Sequence, residues 1–171
     1  MELLRLFKLI AIALAVVLPI RGWVAEPIYV ASPSMEPTLK TGTMLILDKL
    51  TLRMRGPQRG DVLSFHSPVD EHDLLKRVIA LPGETVEMRE KVVFINGKAL
   101  DEPYAVHSRA GEHLEGDNIG PLVVPEKGLF MLGDNRDESN DSSVWKDAEG
   151  NPVRFVFMKV IQGVARRFPW A

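Results

Sequence analysis

Residues 31–39 read ASPSMEPTL, a short segment that sets two serines among prolines. Pro33 and Pro37 fix their own φ angles and push the residues before them toward extended backbone, so the segment is not a helix interior. A tight turn of this kind can display a serine hydroxyl, although clusters of serine, proline and threonine are also common in plain loops. The meaning of this turn therefore depends on the rest of the chain.

Composition sets the class of protein. The chain has 171 residues, of which 46% are hydrophobic and 26% charged, as expected for one globular domain with a real core. The formal net charge is −2, and no arginine-rich or aromatic-interleaved stripe is present, so we expect no nucleic-acid partner. The chain has no cysteine, which excludes disulfides, thiolate metal sites and a cysteine nucleophile.

The N-terminus contains an uncharged apolar run from Leu9 to Ile20 with basic residues on both sides. As a helix the run alone is about 18 Å long, whereas residues 3–24 reach about 33 Å and span a hydrocarbon core of about 30 Å if the flanking charges snorkel. Two interpretations compete, a cleaved signal peptide and an uncleaved membrane anchor. No small-x-small cleavage site closely follows the run, which favours an anchor over residues 1–25.

The charges around this run also predict an orientation. Arg5 and Lys8 precede it, and basic residues mark the cytoplasmic side of a membrane span. We therefore expect the N-terminus in the cytoplasm, a single span, and an extracytoplasmic domain over residues 26–171.

The remaining chain shows short apolar runs between turn signals, without sustained helical periodicity. Asn96-Gly97 is typical of a two-residue hairpin, and the polar segment His107–Asn118 indicates an exposed loop. The pattern predicts a mainly β fold, an antiparallel sheet forming a sandwich or a partly open barrel, behind one N-terminal transmembrane helix. The predicted strands are Thr43–Leu47, Val62–Phe65, Leu74–Leu81, Thr85–Met88, Val92–Ile95, Lys98–Leu100, Gly128–Leu132 and Arg154–Val160.

A serine nucleophile needs a base, and the sequence offers lysine rather than histidine. None of the four histidines lies in a recognisable triad setting. Lys76 lies on an otherwise apolar predicted strand, where it and Arg77 point to opposite faces. An exposed lysine is neutral in only about one molecule in 2,500 at pH 7, but burial lowers its pKa and makes the amine a usable base. The alternative is that Lys76 snorkels to solvent.

The acid-rich segment 133–145 follows an apolar predicted strand and resembles a calcium loop only superficially. Counted from Asp137, position six is Ser142 rather than glycine and position twelve is Ala148 rather than glutamate. We therefore expect structural hydrogen bonds from this segment, and neither a metal nor another cofactor.

Together these segments resemble bacterial type I signal peptidases, membrane-anchored serine proteases with a Ser/Lys dyad. Four blocks match in the order of the family and span most of the chain after the anchor. They are Glu26-Pro27 through Leu39, Gly60-Asp61-Val62, Lys76-Arg77 with residues 81–84, and residues 133–137 with Ser139, Asp141, Ser142 and Trp145.

The resemblance implies a role for each matching residue. Ser34 would be the nucleophile and Lys76 the general base that takes its proton. The backbone N–H of Ser34 and the hydroxyl of Ser32 would form the oxyanion hole. Ser139 matches a serine that hydrogen-bonds and orients the lysine.

The resemblance also implies a substrate, a location and a pocket. The substrates would be signal peptides of exported preproteins, cleaved after small residues of the Ala-x-Ala type, at the outer face of the bacterial inner membrane, with the lipid bilayer as a second partner. Apolar side chains around shallow subsites would also desolvate Lys76, so specificity and base activation would share one cause. The implied pocket residues are Ile28, Val30, Met35, Leu39, Leu74 and Leu75.

The sequence departs from the family pattern at several positions and leaves other functions open. Ser143 stands where an arginine is common, Glu138 replaces a common asparagine, and Pro33 stands where many members have glycine. One alternative is a specialised relative that matures a single pilin or conjugation substrate. Others are a self-cleaving Ser/Lys repressor domain, against which the apolar N-terminus argues, and a non-enzymatic membrane-anchored β binding module.

Overall fold

A computed structural model describes residues 2–168 and contains two antiparallel β-sheets after a long N-terminal helix. The helices are α1 (Glu2–Trp23) and the single-turn α2 (Thr51–Met54). The strands are β1 (Ala25–Tyr29), β2 (Met44–Asp48), β3 (Val62–His66), β4 (Asp73–Ala80), β5 (Thr85–Arg89), β6 (Val92–Ile95), β7 (Lys98–Ala99), β8 (Ile119–Val123), β9 (Gly128–Leu132), β10 (Val156–Phe157) and β11 (Ile161–Arg167).

The seven-stranded sheet has the order β1-β2-β11-β3-β4-β9-β10 and curls into an open half-barrel, and the four-stranded sheet has the order β7-β6-β5-β8. Every strand pair is antiparallel. The prediction of a mainly β, antiparallel and partly open barrel behind an apolar helix is therefore confirmed.

Helix α1 carries no buried residue and, among residues 2–168, is the one helix long and apolar enough to cross a membrane. Its 22 residues extend about 33 Å, which matches a bilayer core. Only Val24 separates α1 from β1, so the first strand begins directly where the apolar helix ends.

The strand prediction was wrong at the C-terminal end and incomplete elsewhere. The predicted strand Arg154–Val160 contains only the two residues of β10, followed by a 3-10 turn over Met158–Val160. The central strand β11 was missed, as were β1 and β8. The single-turn helix α2, which lies between the predicted strands Thr43–Leu47 and Val62–Phe65, was not predicted either. The polar loop His107–Asn118 is also less exposed than predicted, because Asp117 is buried.

Three hydrophobic clusters form the core. The largest packs the four-stranded sheet against β4 and β9, and the second lies around Trp145, which packs edge-on against Phe65. The third is small and surrounds the predicted nucleophile turn, with Val30, Met35, Leu39 and Leu45 as its buried members.

Candidate active site

The serine turn is a 3-10 turn over Pro33–Met35. Met35 is 1% exposed and anchors the turn in the third cluster, while Ser34 is 6% exposed. The hydroxyl oxygens of Ser32 and Ser34 lie 3.1 Å apart, within hydrogen-bond distance. The turn therefore brings the two predicted serines together at one edge of the core.

Strand β4 carries Lys76 into the interior. The side chain is 2% exposed, and Lys76 lies opposite Leu63 of β3 in the sheet register. Burial lowers the pKa of Lys76 to about 8, an effect that the carboxylates of Asp141 and Asp134 partly oppose. With such a pKa, roughly a tenth of the molecules hold a neutral amine at pH 7, compared with about one in 2,500 for an exposed lysine. Snorkelling to solvent, the alternative for Lys76, does not occur.

The serine turn packs against both β4 and the 3-10 turn Arg136–Glu138, and Gly133 lies at this junction. Gly133 follows Leu132, the register partner of Arg77. A Cβ added at Gly133 would lie 2.6 Å from Ser139 Cβ, and closer still to Ser139 Oγ and to the carbonyl oxygen of Ser34. The carbonyl group of Ser34 and the side chain of Ser139 therefore both pack closely against Gly133.

Asn135 holds the serine turn by two hydrogen bonds. Its backbone N–H donates to the carbonyl oxygen of Ser34 at 3.1 Å, and its Nδ2 donates to the carbonyl oxygen of Pro33 at 3.2 Å. Both acceptors belong to the peptide groups on either side of the Ser34 side chain. Asn135 is therefore a positioning residue for the serine hydroxyl, a role that the sequence did not indicate.

Replacing Asn135 with alanine is expected to lower kcat about five- to tenfold with little change in KM, since one hydrogen bond worth roughly 1 kcal/mol is lost from the turn. Steady-state cleavage of a peptide substrate measures both constants. Asn118→Ala is the matched control, because its side chain accepts a hydrogen bond from Glu90 in another turn. Equal kinetics for Asn135→Ala and the control would contradict the positioning role.

Asp141 is a buried carboxylate whose oxygens are satisfied by its own neighbourhood. It accepts hydrogen bonds from Gly133 N at 2.9 Å, from Ser143 N at 2.9 Å and from Ser143 Oγ at 2.7 Å. Ser143, which stands where the resemblance suggests an arginine, thus binds this carboxylate through a hydroxyl. Asp141 fixes the position of Gly133 and contributes negative charge near Lys76.

Arg77 fastens the segment after β9 to β4. Its Nε and Nη2 donate to the two oxygens of Asp134 at 2.7 and 2.5 Å, and its Nη1 donates to the carbonyl oxygen of Gly60. The ring of Tyr104 covers the guanidinium at 4.0 Å. Because neighbouring strand residues alternate faces, this network lies on the side of β4 opposite Lys76 and stabilises the segment that contains Asn135.

The predicted pocket residues do not all lie together. Val30, Met35 and Leu39 are buried in the third cluster, and Ile28 and Leu75 pack against it. Leu74 packs against the second cluster instead, because adjacent residues of β4 point to opposite faces of the sheet. The third cluster also includes Leu45, Val62 and Ala165, which the sequence did not indicate. The pocket role of these residues stays a prediction.

A serine on a tight turn and a buried lysine with a lowered pKa on the adjacent strand are the parts of a serine hydrolase that uses an amine as base. The family described as "Signal peptidase, peptidase S26" matches residues 3–170, and the chain belongs to this family. The apolar helix α1 and the membership of this family together support a membrane-anchored protein.

Known proteins of this family are similar over most of the chain. A probable signal peptidase I-1 of Synechocystis is 41% identical over 145 residues, which cover 80% of this chain and 71% of that protein. Signal peptidase I of Bacillus licheniformis is 41% identical over 141 residues, covering 79% of this chain and 75% of the relative. A crystal structure of a signal peptidase I from Enterococcus faecalis is 34% identical, covers 64% of this chain and 97% of that chain, and has a TM-score of 0.49.

Proposed function

We propose that this chain is a signal peptidase I, a serine endopeptidase that removes signal peptides from exported preproteins after small residues. Ser34 is the nucleophile and Lys76 is the general base. The observation that carries this proposal is the burial of Lys76 on a strand that packs against the turn of Ser34, with its pKa lowered to about 8. A lysine with this pKa combines a useful neutral fraction with substantial basicity at physiological pH.

In the first half of the reaction, neutral Lys76 takes the Ser34 proton as Oγ attacks the carbonyl carbon of the scissile peptide. The resulting oxyanion accepts hydrogen bonds from the Ser34 N–H and the Ser32 hydroxyl, which is 3.1 Å from Ser34 Oγ in the free protein. Protonated Lys76 then gives its proton to the leaving amine, which departs as the N-terminus of the mature protein. The signal peptide remains as an ester on Ser34.

The proposed location at the outer face of the inner membrane follows from helix α1 and the charges before its apolar run. We place α1 across a bacterial inner membrane with its N-terminus in the cytoplasm, because Arg5 and Lys8 precede the apolar run. The domain that follows, residues 26–171, then faces the extracytoplasmic side. Confinement to this surface raises the effective concentration of substrates whose own apolar segments lie in the same bilayer.

The proposal is tested by cleavage of an Ala-x-Ala preprotein with the full chain in lipid vesicles. Ser34→Ala should abolish product formation, whereas the control Ser108→Ala, at an exposed position, should retain the wild-type rate. Activity should also survive a chelator, because the proposed reaction uses the amine of Lys76 as its base and requires no metal ion. Cleavage by Ser34→Ala would refute the assignment of the nucleophile. Cleavage of one preprotein but not of unrelated ones would instead indicate a specialised relative.

A further inference from the structure

Arg154 is a half-buried arginine that no step of the proposed reaction uses. Its Nη1 donates hydrogen bonds to two main-chain carbonyl oxygens, that of Ser142 at 3.1 Å and that of Ser143. Among residues 2–168, this guanidinium forms no ion pair with a carboxylate. A partly buried cation of this kind acts first on the peptide groups that it contacts.

The fold holds the segment that carries Arg154 on both sides. Before Arg154, the loop 146–152 closes with an antiparallel bridge between its end residues, and the N–H of Val153 donates to the carbonyl oxygen of Trp145 at 2.9 Å. Two residues after Arg154, the chain enters β10, which pairs with β9. The contact of Arg154 with the segment 141–145 is therefore set by the backbone on either side of it.

One peptide group connects Arg154 to Asp141. The carbonyl oxygen of Ser142 and the N–H of Ser143 belong to the same planar peptide group. The oxygen accepts a hydrogen bond from Arg154, and the N–H donates to Asp141 Oδ1 at 2.9 Å. A cation at the oxygen polarises the group and strengthens donation by its N–H, since hydrogen bonds in a chain reinforce one another. The guanidinium thereby stabilises the negative charge of Asp141 without a direct ion pair.

Asp141 links this chain of hydrogen bonds to the serine turn. It is 1% exposed, so its negative charge depends on the donors around it rather than on bulk water. Its second oxygen, Oδ2, accepts from the N–H of Gly133 at 2.9 Å. Gly133 packs closely against the carbonyl group of Ser34 and the side chain of Ser139. Hydrogen bonds and close contacts therefore run without a gap from Arg154 to the serine turn.

Asp141 also acts on the proposed base. Burial lowers the pKa of Lys76, and the carboxylates of Asp141 and Asp134 oppose this effect. Asp134 is neutralised by Arg77, which donates to both of its oxygens. Asp141 has no such ion pair within residues 2–168. Its influence on Lys76 therefore depends on how far Arg154 compensates its charge.

The charges around Arg154 leave Asp141 as its buried acidic neighbour. Burial lowers the pKa of Arg154, and the carboxylates of Glu115 and Asp141 oppose this effect. A guanidinium nevertheless stays protonated at every pH at which enzymes work. Glu115 is exposed and pairs with Lys146 at 2.6 Å. Arg154 is thus a constant positive charge beside a buried carboxylate that has no other fixed cation.

We propose that Arg154 is a positioning residue of the signal peptidase reaction, an inference that rests on the proposed peptidase function. Through the peptide group between Ser142 and Ser143, its guanidinium fixes Asp141 and compensates its charge. With Asp141 compensated, the ammonium of Lys76 loses its proton more easily, and the neutral amine is the form that acts as base. In this role Arg154 acts through Asp141 and does not contact the reacting atoms.

Substitutions of Arg154 separate its charge from its hydrogen bonds. Arg154→Gln removes the charge but keeps an amide donor for the two carbonyl oxygens, whereas Arg154→Lys keeps both a charge and a donor. Arg154→Ser leaves room for water at these oxygens and replaces the glutamine variant if that variant does not fold. The matched control is Arg89→Gln, which removes the same charge from an exposed side chain of β5 that pairs with Glu87. Each full-length protein in vesicles is assayed with an Ala-x-Ala preprotein across the acid limb of its pH profile.

The expected result is a shift of that limb. In Arg154→Gln, the acid limb of kcat/KM should move to higher pH by about half a unit, because the uncompensated charge of Asp141 favours protonated Lys76. Cleavage at pH 7 should then fall about threefold, since half a unit changes the neutral fraction of a lysine by that factor. Above the limb, the rate should return to within about 1.5-fold of the wild type, with KM unchanged throughout. Arg154→Lys and Arg89→Gln should keep the wild-type limb.

Three outcomes overturn the role of Arg154. A loss of activity by the same factor at every pH, with the limb unmoved, would show that Arg154 only stabilises the fold. Wild-type activity and an unmoved limb in Arg154→Gln would show that its charge is unimportant, and an equal shift in Arg154→Lys would show that charge is not the cause. Absence of cleavage by the wild-type protein at any pH is a different result, because it refutes the peptidase function itself.

Discussion

Lys76→Met is expected to lower signal-peptide cleavage by at least about 10³-fold, because it removes the general base while keeping a side chain of similar length. Methionine fills the buried space of Lys76 without a titratable group, so the turn of Ser34 and strand β4 should keep their positions. Cleavage of a preprotein by purified enzyme in vesicles measures the effect. The control Lys98→Met replaces an exposed lysine of β7 and should leave the rate unchanged.

The same substitution should make the protein more stable at neutral pH. A buried lysine whose pKa is about 8, compared with about 10.4 when unfolded, destabilises the folded state by about 3 kcal/mol below pH 8. The unfolded chain binds more protons between these two values, so the penalty declines as pH rises from 8 to about 10. Lys76→Met should therefore exceed the wild type in free energy of unfolding at pH 7, with a difference that shrinks toward pH 10.

Chemical denaturation at several pH values measures this difference. Lys98→Met should show no such pH-dependent gain, because its exposed ammonium loses no hydration on folding. A Lys76→Met protein that is less stable than the wild type at pH 7 would contradict the claim that burial of Lys76 lowers the free energy of unfolding. A Lys76→Met protein that still cleaves at a comparable rate would contradict the claim that Lys76 is the general base.

Gly133→Ala is expected to have the second largest effect. The added methyl would collide with the side chain of Ser139 and with the carbonyl oxygen of Ser34. Neither group can move aside without displacing the site, because the first is the proposed lysine-orienting serine and the second is backbone of the serine turn. We expect a loss of about 10²-fold in kcat from misplaced catalytic groups and about 1–3 kcal/mol in stability from overpacking.

Gly120→Ala is the matched control for this variant. Gly120 lies on the exposed face of β8, where an added Cβ meets no atom within 4 Å and the backbone is not in the left-handed region. It should keep wild-type activity and stability. Wild-type kinetics for Gly133→Ala would show that the contact between Ser34, Gly133 and Ser139 is unimportant for positioning.

Local sequence patterns predicted most of the helices and strands of this protein. The apolar run predicts α1, and short apolar runs between turn signals predict β2 to β7 and β9 within a residue or two. Strands β1 and β8 were missed because Pro27 and Gly120-Pro121 disfavour a strand by composition. These strands form because partners elsewhere in the chain pair with them, and such partners are not visible in a local window.

Strand β11 illustrates the same limit more clearly. It ends in Arg166 and Arg167, which looks like a solvated tail, yet it lies between β2 and β3 in the larger sheet. Arg166 pairs with Asp48 of the neighbouring strand at 2.9 Å, so its charge is compatible with a sheet position. The pairing joins residues more than 100 positions apart, which no periodicity can reveal.

The residues of the candidate site were likewise only partly predictable from the sequence. Residue chemistry singled out Ser34 and Lys76, and the resemblance added Ser32 and Ser139. The positioning roles of Gly133 and Asn135 depend on a close approach between the serine turn and the segment after β9, and only the folded chain shows that approach.

The central claim is that Lys76 is a buried amine with a depressed pKa next to the turn of Ser34. Its most direct test is an NMR titration of the 15N-labelled Lys76 side-chain nitrogen in the full-length protein, assigned by comparison with Lys76→Met. The account predicts a midpoint near pH 8, matching the acid limb of kcat/KM. A midpoint near 10.4, the value of a lysine in water, would contradict it.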